Sequence, residues 1–377
     1  MIPFNRPNIT EVERNYMRQA LEADKLCGDG AFTKKVYEIF REKLNVDNLL
    51  LTTSCSSSLD MSAILADLGP GDEVIAPSFT FVSTINAFVL RGAKPVFCDV
   101  EKKTMNMDAD KIEELITPRT KAIYPVHYAG VICDMDKINA IAKKHNLMVI
   151  EDAAQAVGSV YKGKYPAGTI GDMGCYSFHE TKNYVMGEGG AIIVKDPELL
   201  KQAEIIREKG TDRSQFLRGQ VDKYTWRSMG SSFLPSDVLA AMLYGQLERF
   251  DEIMDARMSV WNRYYENLAD LEKEGKLIRP YIPEYSTHNA HMFYMHLPTR
   301  EIRDELIAYL KTKDIMSVFH YIPLHTSPMG QQLGCSDRPL PVTEEYAGRL
   351  VRLPMYAGLT MEEVDRICQE IHNFLNK

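Results

Sequence analysis

Between residues 45 and 200 two patterns alternate along the chain. Short apolar runs, "LLLTT" (49–53), "EVIAP" (73–77), "PVFCD" (95–99), "AIYPV" (122–126) and "LMVIE" (147–151), recur at regular intervals. Between them, "SLDMSAILADL", "STINAFVLRG", "DADKIEELI" and "DMDKINAIAKKHN" carry apolar residues at helical spacing. Near-continuous apolar runs predict strands buried on both faces, and the amphipathic stretches predict crossover helices. The expectation is an α/β domain built on a mostly parallel sheet. Two helices precede it. One opens at "TEVE", where Thr10 and Glu13 have the spacing of a capping box, and ends before the glycine-bracketed "CGDG" (27–30). The other is "KKVYEIFREKL".

Near residue 236 the pattern changes. "SDVLAAMLYGQLERFDEIMDARMSVWNRYYENLADL" has the periodicity of one long helix, and mixed strands and helices follow, closing with "MEEVDRICQEIHNFL". Residues 1–235 are therefore expected to form an N-terminal segment and a large α/β domain, and residues 236–377 a smaller α+β domain. Ligands of parallel α/β sheets sit at the carboxyl ends of the strands, which directs attention to loops 53–58, 77–81, 127–130, 152–155 and 179–190.

Composition narrows the function class. The 377 residues include 45% hydrophobic and 25% charged positions, an ordinary globular balance, with a net charge of −8. That charge argues against a nucleic-acid partner. Seven cysteines without a C-x-x-C pair, and a start lacking the charged-then-apolar signal pattern, indicate reduced thiols and a cytoplasmic protein. No apolar run is long enough for a membrane span.

The candidate chemistry gathers at those strand ends. In "CYSFHETKNYVMGEGGA" (175–191), an apolar run breaks around Lys182 and glycines follow at 187, 189 and 190. A lysine at the rim of a sheet, partly desolvated, favours the amine form that a Schiff-base nucleophile requires. Asp152, directly after "LMVIE", can keep a pyridinium nitrogen protonated, with Ala153 and Ala154 leaving room for a flat ring and Gln155 in reach of a ring substituent. "TTSCSSSLD" (52–60), and Ser177, offer hydroxyls and helix-terminal amides to a phosphate, and Phe81 can stack on an aromatic ring. Each residue also has a plainer use: a solvated charge for Lys182, helix N-caps for Asp152 and the serines, a core ring for Phe81. The pairs His288/His291 and His320/His325 lack metal-site spacing, and no G-x-G-x-x-G follows an early strand.

Taken in order, "PSFTFVSTINAF", "PVHYAG", "VIEDAAQAVGS", "GCYSFHETKNYVMGEGGA" and "HYIPLH" make the chain resemble, over essentially its whole length, the DegT/DnrJ/StrS sugar-nucleotide aminotransferases, which are fold-type I pyridoxal 5'-phosphate enzymes. The resemblance implies that Lys182 carries the cofactor as its Schiff-base lysine and that Asp152 partners the pyridinium. It implies phosphate ligands at Cys55 (through its amide), Ser56 and Ser177, the stacking ring at Phe81, and Gln155 beside the ring hydroxyl. His320 and Tyr321 of "HYIPLH" are candidate substrate contacts, with a hydrogen-bonded structural corner as their alternative. Family members are typically homodimers whose phosphate is also reached by an Asn of the partner in a "G-x-N-x-R" element. Here "GSSFLPSD" places Ser232 for that Asn and Leu234 for the Arg. Lys182 separates the chain from the dehydratase branch, which has histidine there. The implied reaction moves an amino group from L-glutamate to the C-4 ketone of TDP-4-keto-6-deoxy-D-glucose, giving TDP-4-amino-4,6-dideoxy-D-galactose for cell-surface polysaccharides such as O-antigen. A gluco-configured C-4 product, a C-3 keto sugar, a pyridoxal-phosphate enzyme acting only on amino acids, and a non-catalytic cofactor-binding regulator are the competing readings.

Overall fold

A computed structural model describes residues 1–376. The strands of its main sheet are β1 (Leu49–Thr52), β2 (Glu73–Pro77), β3 (Lys94–Cys98), β4 (Thr120–Ile123) and β5 (Met148–Asp152). Past a small hairpin, β6 (Val160–Tyr161) with β7 (Tyr165–Pro166), come β8 (Met173–Ser177) and β9 (Gly190–Val194). The seven-stranded order is β1-β9-β8-β5-β4-β2-β3. Every neighbouring pair is parallel except the two that β9 makes with β1 and β8. The link from Ser177 to Gly190 holds no crossover helix, so the chain can only turn back, which makes β9 the exception to the predicted parallel order.

Both faces of this sheet are covered. The helices are α1 (Glu11–Glu22), α2 (Ala31–Glu42), α3 (Cys55–Leu65), α4 (Val82–Val89), α5 (Met135–His145), α6 (Pro197–Arg207), α7 (Arg213–Leu217) and α8 (Asp237–Glu248). Side chains alternate along the strands as the pleat requires. Leu49, Leu51, Ile75 and Ile193 pack with Val36 and Phe40 of α2, Ile138 of α5 and Leu243 of α8. Leu50, Val74, Ala76 and Ile192 point the other way, onto Leu59 of α3, Phe88 of α4 and Ile206 of α6. Thr10 and Glu13 form the predicted capping box of α1.

The second core is built on α9 (Phe250–Asn267) and α10 (Ala269–Lys273), followed by β10 (Tyr294–His296), α11 (Arg300–Thr312), α12 (Pro328–Gln332), α13 (Pro341–Arg349), β11 (Leu350–Arg352) and α14 (Met361–Leu375). Val260, Trp261 and Tyr264 of α9 pack here with Phe293, Leu306, Leu310, Val364 and Ile371. Among the described residues no helix is long and apolar enough to cross a membrane.

Three local expectations change. The long helix from 236 is broken at Arg249 (φ −97°, ψ 22°), whose guanidinium bonds Glu13, Asn8 and Glu252 and so turns the chain between α8 and α9. As a result α8 and the start of α9, through Ile253, pack in the large core, and the handover between cores falls inside α9 rather than at 236. "DADKIEELI" forms two 3-10 turns, Ala109–Lys111 and Glu113–Leu115, instead of an α-helix; Lys111 is drawn to Asp99 at 3.1 Å and Pro118 soon stops the segment. Finally, the first residues belong with the smaller core: Ile2 is buried there and exchanges backbone bonds with Asp314 and Met316.

Candidate active site

The carboxyl ends of β1, β2, β5 and β8 open into one cavity of about 710 Å³, closed on its other side by segments of the smaller domain. Its size is within the usual range for a bound small molecule. Lys182, Asp152, Gln155, Phe81, Cys55, Ser56, Ser177, His320 and Tyr321 all line it. Ser232 does not: it is exposed, and its backbone bridges to Glu208 beside the loop that follows β1.

At the end of β1, Ser54 caps α3 by accepting from the Ser57 amide at 3.0 Å, and its carbonyl accepts from the Ser58 amide. The Cys55 and Ser56 amides ahead of them keep their donors for an anion, as the first turn of a helix does. Ser56 Oγ lies 2.6 Å from Ser83 Oγ, at the start of α4, and Ser177 adds its hydroxyl from the end of β8. Gly190 lets this cup close. A Cβ there would come within 2.4 Å of the Cys55 amide nitrogen and the Ser54 carbonyl carbon, so only glycine permits strand and helix to approach this closely.

Asp152 is 5% exposed. Its Oδ2 accepts from Thr84 Oγ1 at 2.6 Å and its Oδ1 from the Ala154 amide at 3.1 Å. Beneath it, the buried pair His127 and Glu151 meet at 2.7 Å, and the His127 amide donates to the Asp152 carbonyl, which fixes the end of β5. Gln155 accepts from the Ala129 amide at 2.7 Å and donates to Tyr321 Oη at 2.9 Å, so its side chain is already held in one orientation. Phe81 is more than half exposed at the mouth, its ring centroid 6.3 Å from that of Tyr321.

Lys182 sits in the loop between β8 and β9. Asn183 anchors this loop by donating to the Asn289 carbonyl at 2.6 Å and accepting from His291 Nδ1 at 3.0 Å. No hydrogen bond or ion pair holds the Lys182 ammonium among the described residues. Burial lowers its pKa below the ordinary lysine value; the Asp152 carboxylate opposes this, and the nearby Arg352 adds to it. Burial likewise pushes the Cys55 thiol far above its usual range.

His320 and Tyr321 stack on each other, and His320 Nδ1 meets Tyr128 Oη at 2.7 Å. Burial, then the charges of Arg352 and Lys182, hold the His320 imidazole in its neutral form. His325 turns away to Ser78 and Glu344, a structural corner. Among the lining groups that the sequence reading missed are Thr84, Ser83 and Arg352. Thr84 and Ser83 lay in the quoted "PSFTFVSTINAF", within a turn of Phe81, and position relative to a helix start was the available signal. Arg352 stands in an unremarkable "LVRLP" and gave none.

An unpaired lysine amine, a buried carboxylate, a hydroxyl-lined helix N-terminus and room between them match the donor set that pyridoxal phosphate needs. Comparison with known proteins agrees. The DegT/DnrJ/EryC1/StrS aminotransferase family matches residues 7–372. GDP-perosamine synthase of Caulobacter vibrioides is 34% identical over 373 residues, covering 98% of this chain and 97% of its own. The aminotransferase TlmJ of Streptoalloteichus hindustanus superposes with a TM-score of 0.91 at 31% identity, covering 100% of this chain and 99% of its own. Spr1654 of Streptococcus pneumoniae, described as a putative sugar aminotransferase, has been solved in PLP and PMP forms. Its PLP form reaches a TM-score of 0.90 at 26% identity, covering 100% of this chain and 98% of its own. The chain therefore belongs to the DegT/DnrJ/EryC1/StrS aminotransferase family and is a pyridoxal-phosphate-dependent sugar aminotransferase.

Proposed function

We propose that this enzyme transfers an amino group from L-glutamate to the C-4 ketone of TDP-4-keto-6-deoxy-D-glucose, forming TDP-4-amino-4,6-dideoxy-D-galactose, a precursor for cell-surface polysaccharide. The observation that carries the transamination is the unpaired Lys182 side chain, its pKa lowered by burial, in one cavity with the buried Asp152 carboxylate. The C-4 keto sugar and the TDP carrier rest on the sequence resemblance. A GDP-linked sugar is the second reading, favoured by the similarity to a GDP-perosamine synthase.

Bound pyridoxal phosphate supplies the electron sink through which an amino group passes from donor to acceptor. The Cys55 and Ser56 amides, with the hydroxyls of Ser56 and Ser177, hold its phosphate. Asp152, fixed by Thr84 and the Ala154 amide, keeps the pyridine nitrogen protonated. Phe81 covers the ring and Gln155 bonds its hydroxyl. Lys182 Nζ holds the cofactor between turnovers. Once released, it takes the proton from the donor's α-carbon; in the second half-reaction it delivers a proton to the sugar carbon that bore the ketone. His320 and Tyr321 contact the sugar. The working unit is a cytoplasmic homodimer with shared active sites, Ser232 facing the partner's phosphate.

The test is the product. Enzyme supplied with glutamate and either TDP- or GDP-linked 4-keto-6-deoxy sugar is assayed by NMR. An axial C-4 amine on the TDP sugar supports the proposal. An equatorial amine, a C-3 amine, or turnover of the GDP sugar alone would replace it.

A further inference from the structure

The loop that carries Lys182 continues the ladder of β8 and β9. Ser177 pairs with Gly190 in the sheet. Beyond it the Phe178 amide donates to the Gly189 carbonyl and the Glu180 amide to the Gly187 carbonyl, both at 2.9 Å. That register sets His179 directly across from Glu188. Side chains alternate between faces along an extended chain. Phe178 is accordingly buried in the core, its ring centroid 6.0 Å from that of Phe40. Ser177 and His179, on either side of it, line the cavity, as does Glu188. The facing pair is not closed on itself. His179 Nδ1 accepts from the Thr181 amide at 3.3 Å, which leaves the ring proton on Nε2. That nitrogen stands 3.6 Å from Glu188 Oε1, too far for a hydrogen bond, and among the described residues the Glu188 carboxylate accepts none. An exposed ion pair this loose adds little to folding. A donor and an acceptor side by side do suit a hydroxyl group, which both accepts and donates.

The wall from the smaller domain is of another kind. Apart from Arg352 it offers the apolar Val318, Phe319 and Met355, while the polar side chains beside them are engaged, His320 with Tyr128 and Tyr321 with Gln155. The cavity therefore has one flank that reads hydroxyls, next to Lys182, and one largely apolar flank. A 6-deoxy hexose with its ketone at C-4 has unlike neighbours at the reacting carbon: C-3 bears a hydroxyl, and C-5 bears the methyl group. With the ketone at C-3, both neighbours bear hydroxyls, and one of them would face the apolar flank without a partner, at the cost of burying an unsatisfied polar group. We propose that His179 and Glu188 bind the C-3 hydroxyl of the sugar, His179 donating to it and Glu188 accepting from it, and so set C-4 as the carbon presented to Lys182. The proposal rests on the sugar-aminotransferase reading above.

The experiment pairs a deletion in the enzyme with a deletion in the substrate. In holoenzyme, conversion of the cofactor by L-glutamate is followed by its absorbance. Conversion of the pyridoxamine-phosphate form is followed in reverse, with TDP-4-keto-6-deoxy-D-glucose and with its 3-deoxy analogue. Glu188→Ala is expected to lower kcat/KM for the full sugar by about 10- to 100-fold, the usual worth of a hydrogen bond to a charged group. The 3-deoxy analogue is expected to lose a similar factor in wild type and no more than about threefold further in the variant, because the hydroxyl and its acceptor are one interaction. His179→Phe is expected to act in the same direction, and His179→Gln, which keeps an N–H donor, to recover part of the loss. The glutamate half-reaction is expected to stay within about threefold of wild type. Unchanged sugar kinetics in both Glu188→Ala and His179→Phe overturn the proposal. So do losses that multiply when variant and analogue are combined, and so does an equal loss in the glutamate half-reaction. Wild-type enzyme that glutamate converts but that takes no 4-keto sugar, on TDP or GDP, would overturn the C-4 reading and the proposal with it. A cofactor that no amino acid converts would overturn the aminotransferase reading itself, a result distinct from the others.

Discussion

Gly190 carries a sharp structural prediction. In the sheet it pairs with Thr52 on one side and Ser177 on the other, beneath the start of α3. The Cβ of Gly190→Ala would lie 2.4 Å from the Cys55 nitrogen and the Ser54 carbonyl carbon and 2.6 Å from the Ser54 oxygen. Ordinary contact begins at 3.4 Å. The obstructing atoms are backbone, so no rotamer change relieves the overlap; the helix start must retreat by roughly 1 Å from a strand held on both edges. Overpacking of this kind costs about 1–3 kcal/mol. The displaced atoms include the amide proposed to hold the cofactor phosphate, so this strain falls on binding as well as on folding. At about 1.4 kcal/mol per factor of ten, cofactor affinity is expected to fall roughly 5- to 150-fold. The assay is titration of cofactor-free protein with pyridoxal phosphate, followed by absorbance, with thermal melting in parallel. Gly69→Ala, where an added Cβ meets nothing within 4 Å, is the control. Wild-type cofactor affinity and melting temperature in Gly190→Ala would refute the account of the cup.

Other expectations follow from single contacts. Lys182→Ala should lower turnover by about 10²- to 10⁴-fold or more, the usual worth of a positioned acid–base group; substantial remaining transamination would remove Lys182 from its role. Thr84→Val deletes the 2.6 Å bond to Asp152 at nearly constant volume, a loss of about 1.5–3 kcal/mol that should appear in kcat while the protein stays folded. Because burial lowers the Lys182 pKa, the native cofactor-free protein binds fewer protons there than the unfolded chain does at pH values just below the ordinary lysine pKa. Its stability contribution therefore rises with pH across that window. In the same protein an amine-specific reagent should label Lys182 at lower pH than exposed lysines, and equal labelling profiles would contradict the environment described. Asp237 caps α2 from a distance, accepting from the amides of Phe32 and Thr33, so Asp237→Ala should cost about 2 kcal/mol in denaturant unfolding.

Much of the site was legible because it hangs on strand ends. Once apolar runs place β1, β2, β5 and β8, the residues just beyond them must share an edge, and Ser56, Phe81, Asp152, Ser177 and Lys182 do. What failed was information held by distant contacts. Arg249 breaks a helix whose local periodicity is continuous, because its partners Glu13 and Asn8 lie at the other end of the chain. The reversal of β9 depends on a missing helix rather than on anything in "AIIVK". Arg352 reaches the cavity through β11 and Phe4, a meeting of the two chain ends that no local spacing records. Ser232 lies outside this chain's own cavity, where the resemblance, which pairs that position with a partner's phosphate, also leaves it.

The central claim is that Lys182 holds the cofactor and moves the protons. Borohydride reduction of the pyridoxal-phosphate-loaded enzyme, followed by digestion and mass mapping, tests it most directly. The account predicts a phosphopyridoxyl mass increment on the peptide containing Lys182, absent after prior conversion with glutamate. A stable increment on a different lysine, with the Lys182 peptide unmodified, would contradict it.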